Sequence, residues 1–356
     1  LDTIALEDND MPETQYRFSF GPWNIHEGAD PFGPPVREPF SFDDKLPMYK
    51  ELGFDAVQFH DDDAVPDVDS KTARQITRAC RALKKRLDDA GLVAEFVAPR
   101  LWESPRTIDG AYTSNNPDDR AYAIDRSKRA VDIARELGTR DIVLWLAREG
   151  TYVREAKDAK RAVHLLVDAF NAMLDHDPEC RLLIEPKPNE PMDQAYIPTI
   201  GHALGISYMT KDPSRVGGLI ETAHALLAGL DPSDEMAYAL AHGKLWSVHL
   251  NDQNGLKFDE DKTFGGANLR VAFNQVRVLD ENGYGKNGEF VGLDVKAMRT
   301  QSRETSRRHL SNSREVFLLL LEKVRTLDRK VEQQYRDNRD YEGLELYVLR
   351  HLLGVR

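Results

Sequence analysis

LLIEPKPNEP, residues 182–191, is an apolar run that ends in charge: three aliphatic residues lead into Glu185, Lys187 and Glu190. Such a run reads as a buried strand, and charges at its end cost several kcal/mol each unless they are paired or hold a metal. Similar runs recur on both sides of it. They are YRFSFG (16–21), DAVQFH (55–60), LVAEFVAP (92–99), DIVLWLA (141–147), CRLLIEPK (180–187), VGGLIE (216–221), LWSVHLND (245–252) and FVGLDVK (290–296). Between them, the segments around 71–90, 118–138, 156–176 and 267–283 are charged and amphipathic, with lengths suited to crossover helices. This alternation of strand and helix predicts an α/β fold, a (β/α)8 barrel over residues 1–300. A doubly wound open sheet is the other architecture that the alternation allows.

After residue 301 the pattern changes. The stretch 301–356 carries no strand signal, is highly charged and places its apolar residues at helical spacing. It is expected to form a helical C-terminal arm that packs on the barrel or on another subunit.

Composition narrows the function classes. The 356 residues carry 48 Lys and Arg against 60 Asp and Glu, a formal charge of −12 that repels nucleic acid, so no nucleic-acid partner is expected. The two cysteines, Cys80 and Cys180, are too few and too far apart for a disulfide framework or a thiolate metal site. No apolar run reaches the roughly 18 residues of a membrane span. The first ten residues, LDTIALEDND, have neither the basic nor the apolar region of a signal peptide. A soluble, cytoplasmic protein with no membrane partner is expected.

In a barrel, the C-terminal strand ends converge on one face. Here those ends carry His60 to Asp63 after the second run, Glu185 and Lys187 after the fifth, and Glu221 and His224 in ETAH after the sixth. The seventh supplies His249 and leads into Asp259 and Asp261, and the eighth supplies Asp294 and Lys296. Singly, each reads more simply as a solvated loop residue, a helix N-terminal histidine or an acidic turn. Five strand ends agreeing point to a metal site. Its donors are carboxylate oxygens from Glu185, Glu221, Asp259, Asp261 and Asp294 and imidazole nitrogens from His224 and His249, a set suited to Mg²⁺, Mn²⁺ or Co²⁺, with imidazole tilting toward the last two. Five carboxylates against two divalent ions leave a charge of about −1, and against one ion about −3, so two ions are the better match.

These residues, in this order, resemble xylose isomerases. The resemblance is carried by GPWNIHEGADPFG (21–33), FHDDD (59–63), WLAREG (145–150), IEPKPNEP (184–191), HGKLWSVHLNDQNGLKFDEDKTFG (242–265), GLDVKAMRT (292–300) and the terminal HLLG. It implies a barrel with a helical arm that binds neighbouring subunits, a homotetramer with a dimer as the alternative, and a sugar as substrate. It also implies that Glu185, Glu221, His249 and Asp294 hold one metal, and that Glu221 bridges to a second held by His224, Asp259 and Asp261. Lys187 would bond the carbonyl end of the open-chain sugar, and His60, oriented by Asp63, would help to open the ring. Trp23 and Trp145 would wall off the reacting carbons, Trp102 would stand where a Phe is expected, and Phe32 would reach into a neighbour's site.

The departures from that resemblance cluster at the site. His249 replaces an Asp ligand, which raises the local charge by one unit and is similar to rhamnose isomerases and ketose 3-epimerases; Ser247 replaces a His. PRLW (99–102) introduces Arg100 and the bulkier Trp102, and Leu146 and Ala147 stand where glycines are common. Apolar bulk is worth only about 1–3 kcal/mol of discrimination, so these changes bear on which sugar is taken. The activity that the resemblance implies is a metal-dependent aldose–ketose isomerisation by C1–C2 hydride shift, on D-xylose, D-glucose or a related aldose. An epimerase working by proton transfer and a non-catalytic sugar- or metal-binding protein are the alternatives, and a barrel endonuclease is disfavoured by the acidic charge.

Overall fold

This computed structural model describes residues 15–355; the acidic segment 1–10, read above as unlike a signal peptide, lies outside them. Eight strands form the barrel: β1 Phe18–Phe20, β2 Ala56–His60, β3 Val93–Ala98, β4 Asp141–Trp145, β5 Arg181–Glu185, β6 Val216–Glu221, β7 Leu245–Leu250 and β8 Val291–Leu293. All are parallel, each pairs with its neighbours in sequence, and β8 returns to β1. Closure leaves no sheet edge, which excludes the open-sheet alternative.

A helix follows each strand: α1 Phe42–Glu51, α2 Ala73–Asp89, α3 Pro117–Leu137, α4 Ala159–His176, α5 Ile200–Ser207, α6 Pro232–Ala241, α7 Leu269–Glu281 and α8 Arg308–Thr326. α2 illustrates why. Thr72 and Gln75 cap each other's backbone N–H groups at its start, and Ile76, Cys80, Leu83 and Leu87 recur on one buried face. Each such side chain contributes about 1.5–3 kcal/mol by leaving water. The main core lies between the strands and these helices.

The expected division at residue 300 falls in the loop before α8. That helix buries Leu310, Phe317, Leu320, Leu321 and Val324 in the same core as the strands, with the Phe317 ring 5.0 Å from Tyr16 and 5.4 Å from Phe18. It is the eighth helix of the barrel. Beyond it, α9 Arg329–Asp337 and α10 Tyr341–Leu353 complete the helical segment, and buried Glu332 ties α9 to α7 through Arg277 at 2.6 Å.

Strand register prepares the site. Glu221, His249, Gly292 and Ser19 align across β6, β7, β8 and β1. A side chain at Gly292 would strike the Val248 carbonyl oxygen and the Gln58 amide and lie 3.2 Å from the His249 ring, so the glycine leaves room for all three. Nearby, the buried Glu95 carboxyl accepts from Ser19 Oγ, Gln58 Nε2 (3.2 Å) and Ser247 Oγ (2.7 Å). Burial raises that carboxyl above its ordinary value against these hydrogen bonds.

Candidate active site

His60, Trp145, Glu185 and Glu221 are the last residues of β2, β4, β5 and β6, while His249 is next to last in β7 and Asp294 directly follows β8. Barrel closure therefore brings them to one face. His224 lies on the helical turn Thr222–Leu227, which begins where β6 ends. Asp259 and Asp261 come from the loop after β7, which Asp252 and Lys262 close by paired backbone hydrogen bonds of 3.0 and 3.1 Å. Inside that loop the Gln253 side chain accepts from Glu260 N and donates to the Gly255 and Phe258 carbonyls. Asp261 takes a left-handed backbone, which Asp tolerates better than most residues.

The cavity so formed measures about 480 Å³, a size suited to a small molecule. Trp23, His60, Trp102, Trp145, Glu185, Lys187, Glu221, His224, His249, Asp259, Asp261 and Asp294, all anticipated from the sequence, line it. Asp63 stands behind His60, with Oδ2 at 2.8 Å from Nδ1. Phe32 does not line this cavity; it is 82% exposed and packs edge-on against Phe258.

At the acidic end, His249 Nδ1 lies 3.2 Å from Glu185, 3.9 Å from Glu221 and 4.0 Å from Asp294. His224 Nε2 lies 3.1 Å from Asp259 and 3.3 Å from Glu221. Lys187 Nζ is bound by Asp259 at 2.9 Å and Glu190 at 3.1 Å, and Lys296 Nζ by Asp261 at 2.6 Å. Asp294 is oriented by the Trp23 indole at 2.9 Å and by Asn24 at 2.7 Å, and Glu221 by Asn251 at 2.8 Å.

The electrostatics of this end fit a bound cation. Burial, reinforced by the charge of Asp259, holds Glu221 and Asp261 well above the ordinary carboxylate range. Burial also pushes Glu185 up, but His249 and His224 outweigh it and pull its carboxyl down to about 2. Burial opposes charge on both imidazoles, yet the facing carboxylates, chiefly Glu185 for His249 and Glu221 for His224, raise both. Lys187 is raised likewise, by Asp259 and Glu190 against its burial. The cluster thus splits: Glu185 and Asp259 are held ionised by the cationic groups they face, while Glu221, Asp261, both imidazoles and Lys187 are raised, the pattern of crowded carboxylates that share too few positive partners.

Three sets of ligand atoms lie within 4.8 Å of one another: Glu185, Glu221 and His224; Glu221, His249 and Asp294; and Glu221, Asp259 and Asp261. Glu221 belongs to all three. Buried His224 Nδ1, His249 Nε2 and Asp259 Oδ1 lack a hydrogen-bond partner, which is uncommon for buried polar atoms in a folded interior. Oxygen and imidazole donors without thiolate suit a divalent cation of the Mg²⁺, Mn²⁺ or Co²⁺ kind.

The apolar half of the cavity is aromatic. The His60 ring lies 4.2 Å from Trp23 and 5.1 Å from Trp102, and Trp102 meets Trp145 edge-on at 4.5 Å. Lys187 sits 5.3 Å from the Trp145 ring, in cation–π range.

A match to the family model described as xylose isomerase-like TIM barrel spans residues 47–310. The chain belongs to that family. A curated xylose isomerase of Thermus thermophilus is 36% identical over 320 residues, which cover 88% of this chain and 81% of that protein. Among solved structures, the family fold recurs in a D-tagatose 3-epimerase-like protein with a TM-score of 0.63 at 16% identity, over 87% of this chain and 98% of that one. An L-ribulose 3-epimerase matches with a TM-score of 0.60 at 16% identity, over 90% and 98%. A xylose isomerase domain protein of Alicyclobacillus acidocaldarius matches at 0.58 and 15% identity, over 86% and 99%. At those identities the three structures speak for the fold alone.

Sequence reasoning missed the apolar lining residues Phe96, Ala98 and Val143 and four polar residues at the site. Asn24 and Asn251, which orient Asp294 and Glu221, follow Trp23 and β7 directly, and that adjacency was the available signal. His26 and Arg148 also line the cavity. The His26 Nδ1 accepts the Gly28 N–H at 2.9 Å, and Arg148 Nε donates to the Trp102 carbonyl at 3.1 Å, partners invisible in the sequence.

Proposed function

We propose that this protein is a metal-dependent sugar isomerase that interconverts an aldose and its ketose. The observation that carries the reading is Glu221, shared by every ligand set, with His249 and Asp294 on one side and Asp259 and Asp261 on the other. A shared carboxylate suits two neighbouring divalent ions, because its two oxygens can each face one of them. Glu185, Glu221, His249 and Asp294 would hold one ion, and Glu221, His224, Asp259 and Asp261 the other. Divalent cations held there would supply polarisation of the oxygens on the two sugar carbons between which the hydride moves.

The remaining side chains bind, orient and exclude water. Lys187, held protonated by Asp259 and Glu190, donates from Nζ to the oxygen at the carbonyl end of the open chain. His60 faces the ring form. Trp23, Trp102 and Trp145 form the dry wall that keeps solvent from the migrating hydrogen. Trp102 and Ala98 add apolar surface to the cavity lining, which suits a deoxy or differently configured aldose. The same reading includes a homotetramer, supported by exposed Phe32 and by Leu256, 76% exposed on the neighbouring loop.

The test is an assay of metal-stripped protein, reconstituted with Mn²⁺, Co²⁺ or Mg²⁺, against a panel of aldoses in D₂O with products read by NMR. The expected product is a ketose without solvent deuterium at the carbon that received hydrogen. Deuterium incorporation would replace the hydride shift by proton transfer and favour the epimerase reading. No turnover across the panel with any metal would overturn isomerase activity on simple sugars.

A further inference from the structure

Two groups contact one ring nitrogen. His60 Nδ1 lies 2.8 Å from Asp63 Oδ2 and 2.7 Å from Arg100 Nη2. A ring nitrogen carries either a proton or a lone pair in its plane. A guanidinium offers only donors, and an ionised carboxylate only acceptors. With a proton on Nδ1, that N–H would point into the guanidinium; with a lone pair, it would face the carboxylate. Both contacts are not favourable at once.

The surroundings decide between them. Arg100 stays charged at any relevant pH and cannot give way by losing a proton. Its Nε donates to Asp62 at 2.8 Å, Glu103 lies 3.5 Å from Nη1, and Nη2 reaches Asp63 Oδ1 at 3.2 Å. The two hydrogens on Nη2 therefore have two acceptors, Asp63 Oδ1 and His60 Nδ1, if Nδ1 is a lone pair. Asp63 does not depend on the imidazole proton, because it also accepts from the His60 backbone N–H at 3.3 Å. The other ring nitrogen, Nε2, has no protein partner among the described residues, and His60 lines the cavity.

We infer that Arg100 is a positioning residue that holds His60 as the neutral imidazole with its proton on Nε2, so that His60 presents a hydrogen-bond donor to the cavity. Asp63 then anchors Arg100 and the His60 backbone rather than withdrawing the ring proton. A substrate oxygen with a free lone pair, such as the ring oxygen of a cyclic sugar, is the matching acceptor. Only this last consequence rests on the isomerase reading; the tautomer itself does not.

The experiment is long-range ¹H–¹⁵N NMR of the full chain labelled at histidine nitrogen, without sugar, with His60 assigned by its loss in His60→Gln. The wild type is expected to show a protonated Nε2 and a bare Nδ1. Arg100→Met should move the proton to Nδ1, toward Asp63, and Arg100→Lys, which keeps a donor, should restore Nε2–H. Asp63→Asn, with Arg100 intact, should leave Nε2–H in place and serves as an independent reading if Arg100→Met does not fold. A wild-type proton on Nδ1, an Arg100→Met spectrum with the wild-type tautomer, or a proton displaced in Asp63→Asn would each overturn the assignment. Absence of sugar turnover alongside the expected tautomers would count against the isomerase reading and leave the assignment standing.

Discussion

Glu149 and Glu221 are both 2% exposed, yet they stand for opposite uses of a buried carboxylate. Glu149 is saturated. It accepts from the backbone N–H groups of Ala111 (3.1 Å), Tyr112 (2.7 Å) and Thr113 (3.0 Å) and from the Thr113 hydroxyl. Glu221 receives one amide hydrogen bond, from Asn251, and otherwise faces other charged side chains whose own atoms include unpaired ones. Burial by itself therefore does not mark a site. What marks one is a buried charge whose compensation the protein leaves incomplete.

That contrast can be tested, beginning with its strongest consequence. Glu221→Gln removes the ligand common to all three sets, and the expected result is a fall in divalent-metal affinity of more than about a hundredfold, read by isothermal titration. Stoichiometric tight binding by the variant would break the distinction between the two carboxylates. Glu149→Ala is expected to act the other way round, leaving metal stoichiometry unchanged. It strands buried donors and should lower unfolding free energy by about 3 kcal/mol in urea titrations. If instead it abolished metal binding while the fold survived, Glu149 would belong to the site.

The smallest effect concerns Glu95, which lies between the two cases: it is hydrogen-bonded by three side chains, but burial still raises its carboxyl. Folded, it binds its proton more tightly than it does unfolded. Its contribution to stability is therefore present below the ordinary Glu value, near pH 4.3, and is lost as pH rises through the raised folded value. Glu95→Gln removes that loss. The variant should gain in urea midpoint on the wild type as pH rises from about 4 to 7, and a constant difference across that range would refute the account.

How much of this was legible in the sequence varied by element. The eight strands were, because a parallel barrel buries both faces of each strand and writes them as apolar runs such as DIVLWLA and VGGLIE. The long helices α2, α3, α4 and α7 were legible from their amphipathic period. The short helices α1, α5 and α6 were not: α1 contains Pro47, α5 contains Gly201 and Gly205, and tertiary packing rather than propensity holds them. Of the site, the charged side chains that close the strands could be read off one by one. Phe32 was expected to reach into a neighbouring subunit's site, and within its own chain it is exposed and lies outside the cavity.

The sequence alone determined the strand and helix alternation and the chemistry at each strand end, since both are written in local patterns of apolar and charged residues. Only the tertiary structure decided that Asn24 orients Asp294 and Asn251 orients Glu221, and that Arg100 and Asp63 meet at one nitrogen of His60. The reason is physical. Closing the barrel brings residues as distant in sequence as Asn24 and Asp294 within 2.7 Å, and at that range the directions of donors and acceptors, which no linear spacing encodes, decide which contacts can coexist.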